Sequence, residues 1–391
     1  MLVFTPNIRR RGGDVMRTAL IGCGFVADLY LQTLRNHPML KITGVFDRDT
    51  ARLDQFSLFY HLRRYRCMDE LLNDPAVELV INLTNPGSHH LISRASLEAG
   101  KHVYSEKPLA TTLEDAQSLV ALAERRGLLL AGAPCNLLGE TAQTLWKALR
   151  AGRIGTPRLV YAELDEEQLF MNYREWISKS GAAWPYRDEF EVGSTLEHAG
   201  YYLGWLTAFF GPAQEIVSSR GVLADRSGPV QENYAPAFGT ACIRFAGGLV
   251  ARITCSTYTA MDHRFRVFGD DGVLSTPDCW DYASPVYIRH RIPQCWQDRH
   301  PHRAELLHME PQIPLVRRNG FAYDKSRELR MDFGRGVAEL ADAVKEGREP
   351  RLSARWLLHV TELALAMNAG DGVRREIQST FPPIAPMPWA M

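Results

Sequence analysis

A short apolar stretch that ends in closely spaced glycines is the feature that most constrains how this chain can fold. Residues 19–21 are apolar, Gly22 and Gly24 follow them, and Ala27 occupies a third small position. A strand, a tight glycine turn and a helix in this order are typical of a dinucleotide-binding βαβ unit. In such a unit Gly22 permits the turn, Gly24 lets the backbone approach a pyrophosphate, and Ala27 allows the helix to pack closely on the strand.

An acidic residue at the end of the next apolar run strengthens this interpretation. Residues 42–46 form that run, which stops at Asp47. The free N–H groups at the start of the first helix, those of Phe25 and Val26, are expected to face the phosphates. Asp47 would accept hydrogen bonds from a ribose diol and repel a 2′-phosphate, which favours NAD over NADP, although Arg48 could reverse that preference. The alternative is a flavodoxin-like turn that binds no nucleotide.

Length, charge and cysteine usage exclude several classes of protein. A chain of 391 residues with 46% hydrophobic content can bury a large core, and its length suggests two domains. The formal net charge is zero without blocks of like charge, so neither nucleic acid nor an anionic membrane surface is an expected partner. No apolar run of about 18 residues occurs, so no membrane span is expected. Seven scattered cysteines without a C-x-x-C pair fit a reducing cytoplasm and argue against disulfides or a thiolate metal site.

The pattern of secondary structure changes near residue 135. Up to that point strands and helices alternate, which predicts a Rossmann domain over residues 15–135 with a doubly wound parallel sheet. Residues 136–391 are richer in strands joined by Gly and Asp turns, which predicts an α+β domain with a large open antiparallel sheet. Residues 1–14 are expected to be a poorly ordered leader. The predicted fold class is therefore α/β with a second, α+β domain.

A short motif connects this fold to a known family. Residues 104–110 follow a predicted strand and read Tyr-Ser-Glu-Lys-Pro-Leu-Ala. Together with the glycine turn and Asp47, this motif resembles the Gfo/Idh/MocA family, named for glucose–fructose oxidoreductase, inositol dehydrogenase and rhizopine catabolism. The resemblance extends over residues 16–370 and implies NAD(P) as cofactor and a C-terminal domain for substrate binding and oligomerisation. It adds to the cofactor site Thr84, Asn85, Pro86, His90, Glu106 and Lys107.

The resemblance also implies the catalytic residues. Lys107 would be the catalytic lysine, with its ammonium near the reacting hydroxyl or carbonyl and with Glu106 beside the nicotinamide. Many relatives carry Asp-x-x-x-His on a helix of the second domain, with His as acid/base. Alignment on Gly193 puts Glu197 at the Asp position and Tyr201 at the His position. The two residues are spaced i and i+4, so they share one face of a helix.

Three interpretations of this helix stay open. In the first, Tyr201 is the proton donor, and the charge of Lys107 or NAD⁺ lowers its pKa. In the second, a shifted helix presents His198 instead, which titrates nearer neutral pH. In the third, the site performs no redox chemistry and Tyr201 only shapes a pocket.

Aromatic and charged residues before this helix, with one residue at the domain junction, are candidates for substrate binding. Aromatic faces with carboxylates and arginines suit a sugar, another polyol or a polar amino-acid-like molecule. The alternative is a surface loop that packs its own aromatics. Histidines within residues 290–308 lack carboxylates at a set spacing, so no metal site is expected. The candidate substrate residues are Asn136, Trp176, Trp184, Tyr186 and Arg187.

The motifs and the resemblance together predict a cytoplasmic NAD(P)-dependent oxidoreductase. It would transfer a hydride between the nicotinamide and a secondary alcohol or ketone of a sugar, inositol or related polar metabolite. Lys107 and Tyr201 would handle the hydroxyl proton, with Glu197 assisting. Two alternatives stay open, namely a redox-neutral enzyme that retains NAD⁺ and a non-catalytic nucleotide-binding regulator. Relatives dimerise through the open sheet face, so a homodimer or homotetramer is expected.

Overall fold

The computed structural model describes residues 15–166, 173–221, 235–257, 260–292, 294–299, 309–318 and 330–391. The leader predicted for residues 1–14 and the histidine-rich residues 300–308 lie outside this part of the chain. Among the helices that the structure describes, none is both long enough and apolar enough to cross a bilayer.

The N-terminal part is a five-stranded parallel sheet whose strands alternate with helices. Its elements are β1 Met16–Ile21, α1 Phe25–Leu34, β2 Leu40–Phe46, α2 Thr50–Tyr60, α3 Met68–Asn73, β3 Leu79–Asn82, α4 His89–Glu98, β4 His102–Ser105, α5 Leu113–Arg126 and β5 Leu130–Gly132. The strand order is β2-β1-β3-β4-β5, so β2 lies on one side of β1 and β3 on the other. This reversal opens a crevice at the carboxyl ends of β1 and β3, where sheets of this type bind ligands.

Local signals in the sequence explain where these elements begin and end. The Thr112 hydroxyl caps α5 by accepting a hydrogen bond from Asp115 N at 3.1 Å. Gly127 ends the same helix in the left-handed region, with φ of 64°. All four residues of β3 are buried, as expected for a central strand of a parallel sheet. The doubly wound parallel sheet predicted from the sequence is confirmed.

The C-terminal part is built on a nine-stranded sheet with helices packed against it. Its helices are α6 Glu140–Arg150, α7 Tyr186–Val192, α8 Ser194–His198, α9 Gly200–Phe210, α10 Gln294–Arg299, α11 Gly334–Glu346 and α12 Ala354–Ala369. Its strands are β6 Pro157–Asp165, β7 Ala213–Gly221, β8 Phe238–Phe245, β9 Val250–Ser256, β10 Phe265–Gly269, β11 Gly272–Thr276, β12 Val286–His290, β13 Gln312–Ile313 and β14 Arg375–Glu376. The strand order is β13-β12-β11-β10-β6-β9-β8-β7-β14.

One pairing in this sheet differs from the antiparallel arrangement predicted. β6 runs parallel to β9, whereas the other neighbouring strands that the structure describes are antiparallel. Three helices and two strands separate β6 from β9 along the described chain, so the connection is long enough for both strands to enter the sheet in the same direction. The hairpins β8–β9 and β10–β11 follow the prediction.

Alternating burial leaves one face of this sheet partly open. In β6, Val160, Ala162 and Leu164 are buried, while the residues between them are only partly buried. Helix α9 is apolar around most of its circumference, and its Trp205 is 1% exposed. Trp205 packs edge-on against Phe265 of β10, with 5.4 Å between the ring centroids. Replacing a buried tryptophan of this kind by alanine costs about 3–5 kcal/mol of stability.

Helix α11 returns to the N-terminal sheet. It packs against α1, where the His37 ring lies 3.0 Å from the Asp332 carboxylate. A Cβ at Gly336 of α11 would collide with the Tyr104 hydroxyl, so the helix approaches β4 very closely. The second domain as predicted, residues 136–391, therefore includes a helix that also covers the sheet of the first.

Candidate active site

The glycine turn after β1 forms a cradle at the start of α1. Gly22 has φ of +100°, and a Cβ there would lie 2.5 Å from the carbonyl oxygen of Leu83, so only glycine fits. Gly24 is the N-cap of α1 and has no side chain to cap the helix. A Cβ at Gly24 would meet nothing within 4 Å, so the space above the N–H groups of Phe25 and Val26 is open. Open space at a helix N-terminus fits a pyrophosphate.

Asp47 lies at the same edge of the sheet, as predicted. Its Oδ2 accepts a hydrogen bond from Cys23 N at 2.8 Å, and its Oδ1 accepts one from Asp49 N at 2.9 Å. These two bonds hold the carboxylate against the glycine turn while leaving lone pairs for a ribose diol. Arg48 is exposed. The residues present therefore fit the adenosine half of a dinucleotide.

Two adjacent histidines follow the loop after β3, and they differ in burial and in the atoms that they contact. His89 is buried, and its Nδ1 and Nε2 lie 2.7 Å from Pro108 O and 2.8 Å from Thr84 O. It therefore ties together the loops that carry the predicted cofactor residues. His90, the residue that the sequence analysis selected, turns towards α5 and lies 3.0 Å from Ser118 Oγ. Adjacent histidines cannot be told apart by spacing alone, and only the burial of one face of α4 distinguishes them.

Lys107 follows β4 and reaches across to the second domain. Its ammonium forms an ion pair with the Glu197 carboxylate of α8, and the two side chains are 18% and 1% exposed. Burial disfavours the charge of this lysine, but the carboxylates of Glu197 and Glu189 outweigh it and raise the pKa of Lys107. Lys107 is therefore protonated at neutral pH. The Lys107–Pro108 peptide bond is cis.

The Glu197 carboxyl group is itself perturbed. Burial and the nearby Glu189 carboxyl group raise its pKa to about 8, against the opposing effect of Lys107. Glu189 lies one helix earlier in the chain, and the sequence analysis did not select it. Backbone hydrogen bonds join Gly193 to both residues, from Gly193 N to Glu189 O at 2.8 Å and from Glu197 N to Gly193 O at 3.1 Å. Helical spacing could not have identified this pairing, because Gly193, with φ of 90°, separates α7 from α8.

Glu106 lies behind Lys107 and is 6% exposed. Its Oε1 accepts a hydrogen bond from the Tyr30 hydroxyl at 2.7 Å, and its Oε2 accepts one from Lys107 N at 3.0 Å. Tyr30 comes from α1, so Glu106 links the glycine turn's helix to the loop that carries the lysine. This arrangement fixes the backbone at Lys107.

Tyr201 lies one turn beyond Glu197, at the start of α9. Its ring packs edge-on against Trp280 at 5.3 Å, and the residue is 8% exposed. Burial raises the pKa of Tyr201 well above its usual value, although the Lys107 charge acts in the opposite direction. The lowering of the Tyr201 pKa that was expected from the charge of Lys107 is therefore outweighed by burial of the phenol. In the structure the phenol is neutral. A neutral phenol can still donate a proton.

Asn136, a candidate substrate residue at the domain junction, forms hydrogen bonds to the backbone at the start of α9. Its Nδ2 donates to Tyr201 O at 3.2 Å and to Cys279 O at 3.4 Å. Its Oδ1 is buried without a hydrogen-bond partner among the described residues. Asn136 therefore positions the backbone of Tyr201 and retains one acceptor.

His198 points to a different group of residues. Its Nδ1 lies 3.2 Å from Ser194 O, and its Nε2 lies 4.0 Å from Glu166 Oε1. Burial lowers the pKa of His198, so the ring is neutral. His263, which the sequence analysis did not select, lies between Glu166 and Asp278 at 3.6 and 3.3 Å. Burial alone would lower the pKa of His263, but the hydrogen bond with Asp278 and the nearby carboxylate of Glu166 raise it to about 9.

A pocket opens beside these residues, between α7, α8 and the sheet. Trp184, a candidate substrate residue, lines it together with Glu189, Phe190, Ser194, His198 and Thr257. The Ser194 and Thr257 hydroxyls are buried without hydrogen-bond partners in the described part of the chain. Within the same described residues, no group of three or more His, Cys, Asp or Glu side chains could hold a metal ion. Hydroxyls, a carboxyl and aromatic faces can together bind a polar organic molecule.

The other aromatic candidates pack mainly on one another. Trp176 is half exposed and lies edge-on to Trp184 at 5.2 Å. The Tyr186 ring contacts Phe190 at 6.2 Å and accepts a hydrogen bond at its hydroxyl from the exposed Arg187, at 3.2 Å. Trp184 therefore reaches the pocket, whereas Trp176, Tyr186 and Arg187 surround its outer wall.

Two family profiles match this chain in succession. Residues 16–132 match the profile described as "Oxidoreductase family, NAD-binding Rossmann fold", and residues 142–275 match the Gfo/Idh/MocA C-terminal domain. An uncharacterized oxidoreductase of Synechocystis sp. is 26% identical over 70% of this chain and 76% of its own length. The trans-1,2-dihydrobenzene-1,2-diol dehydrogenase of Bos taurus is 23% identical over 94% of this chain and 98% of its own.

Solved structures agree with these matches in fold. The WlbA dehydrogenase of Bordetella pertussis, in complex with NADH and UDP-GlcNAcA, has a TM-score of 0.71 at 19% identity. That similarity covers 93% of this chain and 98% of the other. The glycine cradle, the Glu106-Lys107-Pro108 loop and both profile matches lead to one conclusion: this chain belongs to the Gfo/Idh/MocA family of NAD-binding oxidoreductases.

Proposed function

We propose that this protein transfers a hydride between the nicotinamide of NAD(P) and a secondary alcohol or ketone carbon of a sugar, cyclitol or related polar metabolite. The observation that carries the proposal is the ion pair between Lys107 and Glu197. It joins the loop at the end of β4, where a nicotinamide is expected, to the second-domain helix that lines the pocket. Hydride transfer itself is the chemistry of the bound cofactor.

The side chains of this chain would handle the proton. In the direction of reduction, the ammonium of Lys107 and the neutral phenol of Tyr201 are both donors for an oxygen that becomes an alkoxide. Glu197 orients the ammonium and, with a pKa of about 8, can exchange a proton near neutral pH. General acid catalysis of this kind contributes roughly 10²- to 10⁴-fold to a rate.

The pocket supports a polar substrate with several hydroxyls. Ser194 and Thr257 offer unpaired hydroxyls, Glu189 offers a carboxyl group, and Trp184 offers an aromatic face. Aromatic faces pack against the C–H surface of a ring while polar groups bind its hydroxyls. The bovine relative is named for a cyclic diol.

A thermal-shift screen tests the proposal in two steps. Addition of NADH or NADPH should raise the melting temperature, since a ligand that binds only the folded state stabilises it by mass action. Sugars, cyclitols and sugar acids should then raise it further in the presence of cofactor, and the best of them should show cofactor-dependent turnover. A cofactor shift without turnover of any stabilising compound would contradict hydride transfer.

We also propose that copies of this chain associate through the open face of the nine-stranded sheet. Tyr161, Arg252 and Arg266 lie on that face, and the two guanidinium groups are 4.5 and 5.5 Å from the Tyr161 ring centroid. An aromatic residue beside arginines is typical of interface cores. Light scattering should give the mass of a dimer or tetramer, and a Tyr161→Asp variant should shift it to that of the monomer. A wild-type monomer would contradict this proposal.

A further inference from the structure

Ser180 of the second domain is anchored to the first two helices of the first. Its N–H and hydroxyl donate to Asp28 Oδ1 and Oδ2 at 2.9 and 2.6 Å. Arg52 Nη1 donates to Ser180 O at 2.8 Å, and the same guanidinium bonds the hydroxyl. Asp28 is 1% exposed, so this is a buried anchor that holds the two domains together.

A second anchor lies eight residues further along the chain. Asn85 Nδ2, in the loop after β3, donates to Asp188 Oδ2 of α7 at 2.7 Å. Between the two anchors, Gly181 packs tightly on α2, since a Cβ there would collide with the Gln55 amide. Residues 180–188 are therefore held at both ends by the first domain. Between these ends, residues 182–184 pair with residues 176–178 of their own domain, through Ser178 N to Ala182 O at 2.7 Å and Trp184 N to Trp176 O at 2.9 Å.

The order of the strands shows what lies between the two anchors. Ser180 is fixed at Arg52, which begins α2 just after β2, and Asp188 is fixed at the loop that follows β3. β1 lies between β2 and β3, so the two anchors lie on either side of the glycine turn that ends β1. Arg52 Nε also donates to Cys23 O at 2.5 Å, which places the first anchor against that turn. The open space at Gly24 is on this edge.

We propose that residues 180–188 form a strap that closes over the pyrophosphate of the dinucleotide and gates its entry and exit. The inference rests on the proposed function, because it requires a bound nicotinamide cofactor. The second domain then contributes more than a substrate pocket: it encloses the cofactor, which leaves only when the contacts at Ser180 and Asp188 break. A gate of this kind slows both association and dissociation, since each needs the open state.

Stopped-flow measurements of NADH binding test the strap in the full-length protein. NADH fluorescence gives the association rate, and displacement by excess NAD⁺ gives the dissociation rate. Ser180→Ala and Asp188→Ala each remove one anchor and should raise both rates by roughly tenfold, with a smaller change in Kd. Asp69→Ala, an exposed carboxylate of α3, is the matched control and should leave both rates unchanged.

Three outcomes would overturn the strap, and they differ in what else they contradict. Wild-type rates in both anchor variants would show that the segment does not gate the cofactor, and the proposed function would stand. A faster dissociation with an unchanged association rate would assign these residues to direct contact with NADH rather than to a gate. A wild-type protein that binds neither NADH nor NADPH would overturn both the strap and the proposed function.

Discussion

The Nζ of Lys107 donates a hydrogen bond to the Glu197 carboxyl group, and the two residues belong to different domains. Lys107 follows β4 of the Rossmann sheet, whereas Glu197 lies on the short helix α8, whose Ser194 and His198 line the pocket. The orientation of the Lys107 ammonium therefore depends on a residue of the second domain. This pair is the centre of the predictions below.

Replacing Lys107 by alanine should separate chemistry from cofactor binding. The variant loses the ammonium that faces the reacting oxygen, so turnover should fall by roughly 10²- to 10⁴-fold. NADH affinity, measured by fluorescence titration, should change little because the glycine cradle and Asp47 are intact. Lys41→Ala, an exposed lysine of β2, is the control and should be fully active. Near-normal turnover in the Lys107 variant would remove this residue from the mechanism.

The choice between Tyr201 and His198 can be made with two conservative variants. Tyr201→Phe removes only the hydroxyl and should reduce kcat by at least about 10²-fold, because the phenol is the proposed proton donor. His198→Gln should have a smaller effect, since its ring nitrogens lie beside Ser194 O and Glu166 Oε1 and the ring is neutral. Steady-state kinetics on the best substrate decide the matter. An active Tyr201 variant beside an inactive His198 variant would reverse the assignment.

The raised pKa of Glu197 predicts how stability depends on pH. The pKa of this carboxyl group rises from 4.5 to about 8 on folding. The stability that Glu197 contributes to the fold is therefore fully present below pH 4.5 and is lost as the pH rises through about 8. The free energy of unfolding of the wild type, relative to that of Glu197→Gln, should therefore decrease as the pH is raised from 4.5 to about 8. Urea unfolding at several pH values measures the difference in free energy of unfolding between the two proteins. The contribution of His263 cancels because both proteins retain this residue. Parallel curves for the two proteins would show that Glu197 has an ordinary pKa.

Alanine substitutions at the two glycines of the cradle should act differently. Gly22→Ala places a Cβ 2.5 Å from Leu83 O at a positive φ and should destabilise the fold by roughly 1–3 kcal/mol. Gly24→Ala meets no protein atom within 4 Å, so its melting temperature should stay close to that of the wild type. The new methyl group would occupy the expected pyrophosphate position and should weaken NADH binding by roughly tenfold. Calorimetry gives both quantities, and wild-type affinity in Gly24→Ala would place the phosphates elsewhere.

Much of the first domain could be predicted from the sequence because its signals are local. The glycine turn lies between an apolar run and a helix, and Asp47 follows the next run, so short-range patterns define the crevice. The antiparallel hairpins of the second sheet are also local, and they too were predicted. The parallel pairing of β6 with β9 was not, because nothing in either strand records which distant strand lies beside it.

Contacts between residues that are far apart in the sequence were harder to predict. The bonds between Lys107 and Glu197 and between Asp28 and Ser180 span 90 and 152 positions. The first pairing was suggested by family resemblance, and the second had no signal in the sequence. His89 was missed for a different reason, since it is adjacent to His90 and only the packing of α4 decides which ring is buried.

The sequence by itself determined the Rossmann architecture and the edge of the sheet at which the glycine turn lies, because backbone conformation and hydrophobic periodicity act over a few residues. The role of Lys107 was implied by the family resemblance. Only the tertiary structure decided the protonation states of the groups around that lysine and the anchors that hold residues 180–188 at both ends. Burial and proximity of charge set a pKa, and both depend on residues far away in the chain. The pairing of Glu197 with Lys107 and Glu189 is therefore a property of the folded molecule.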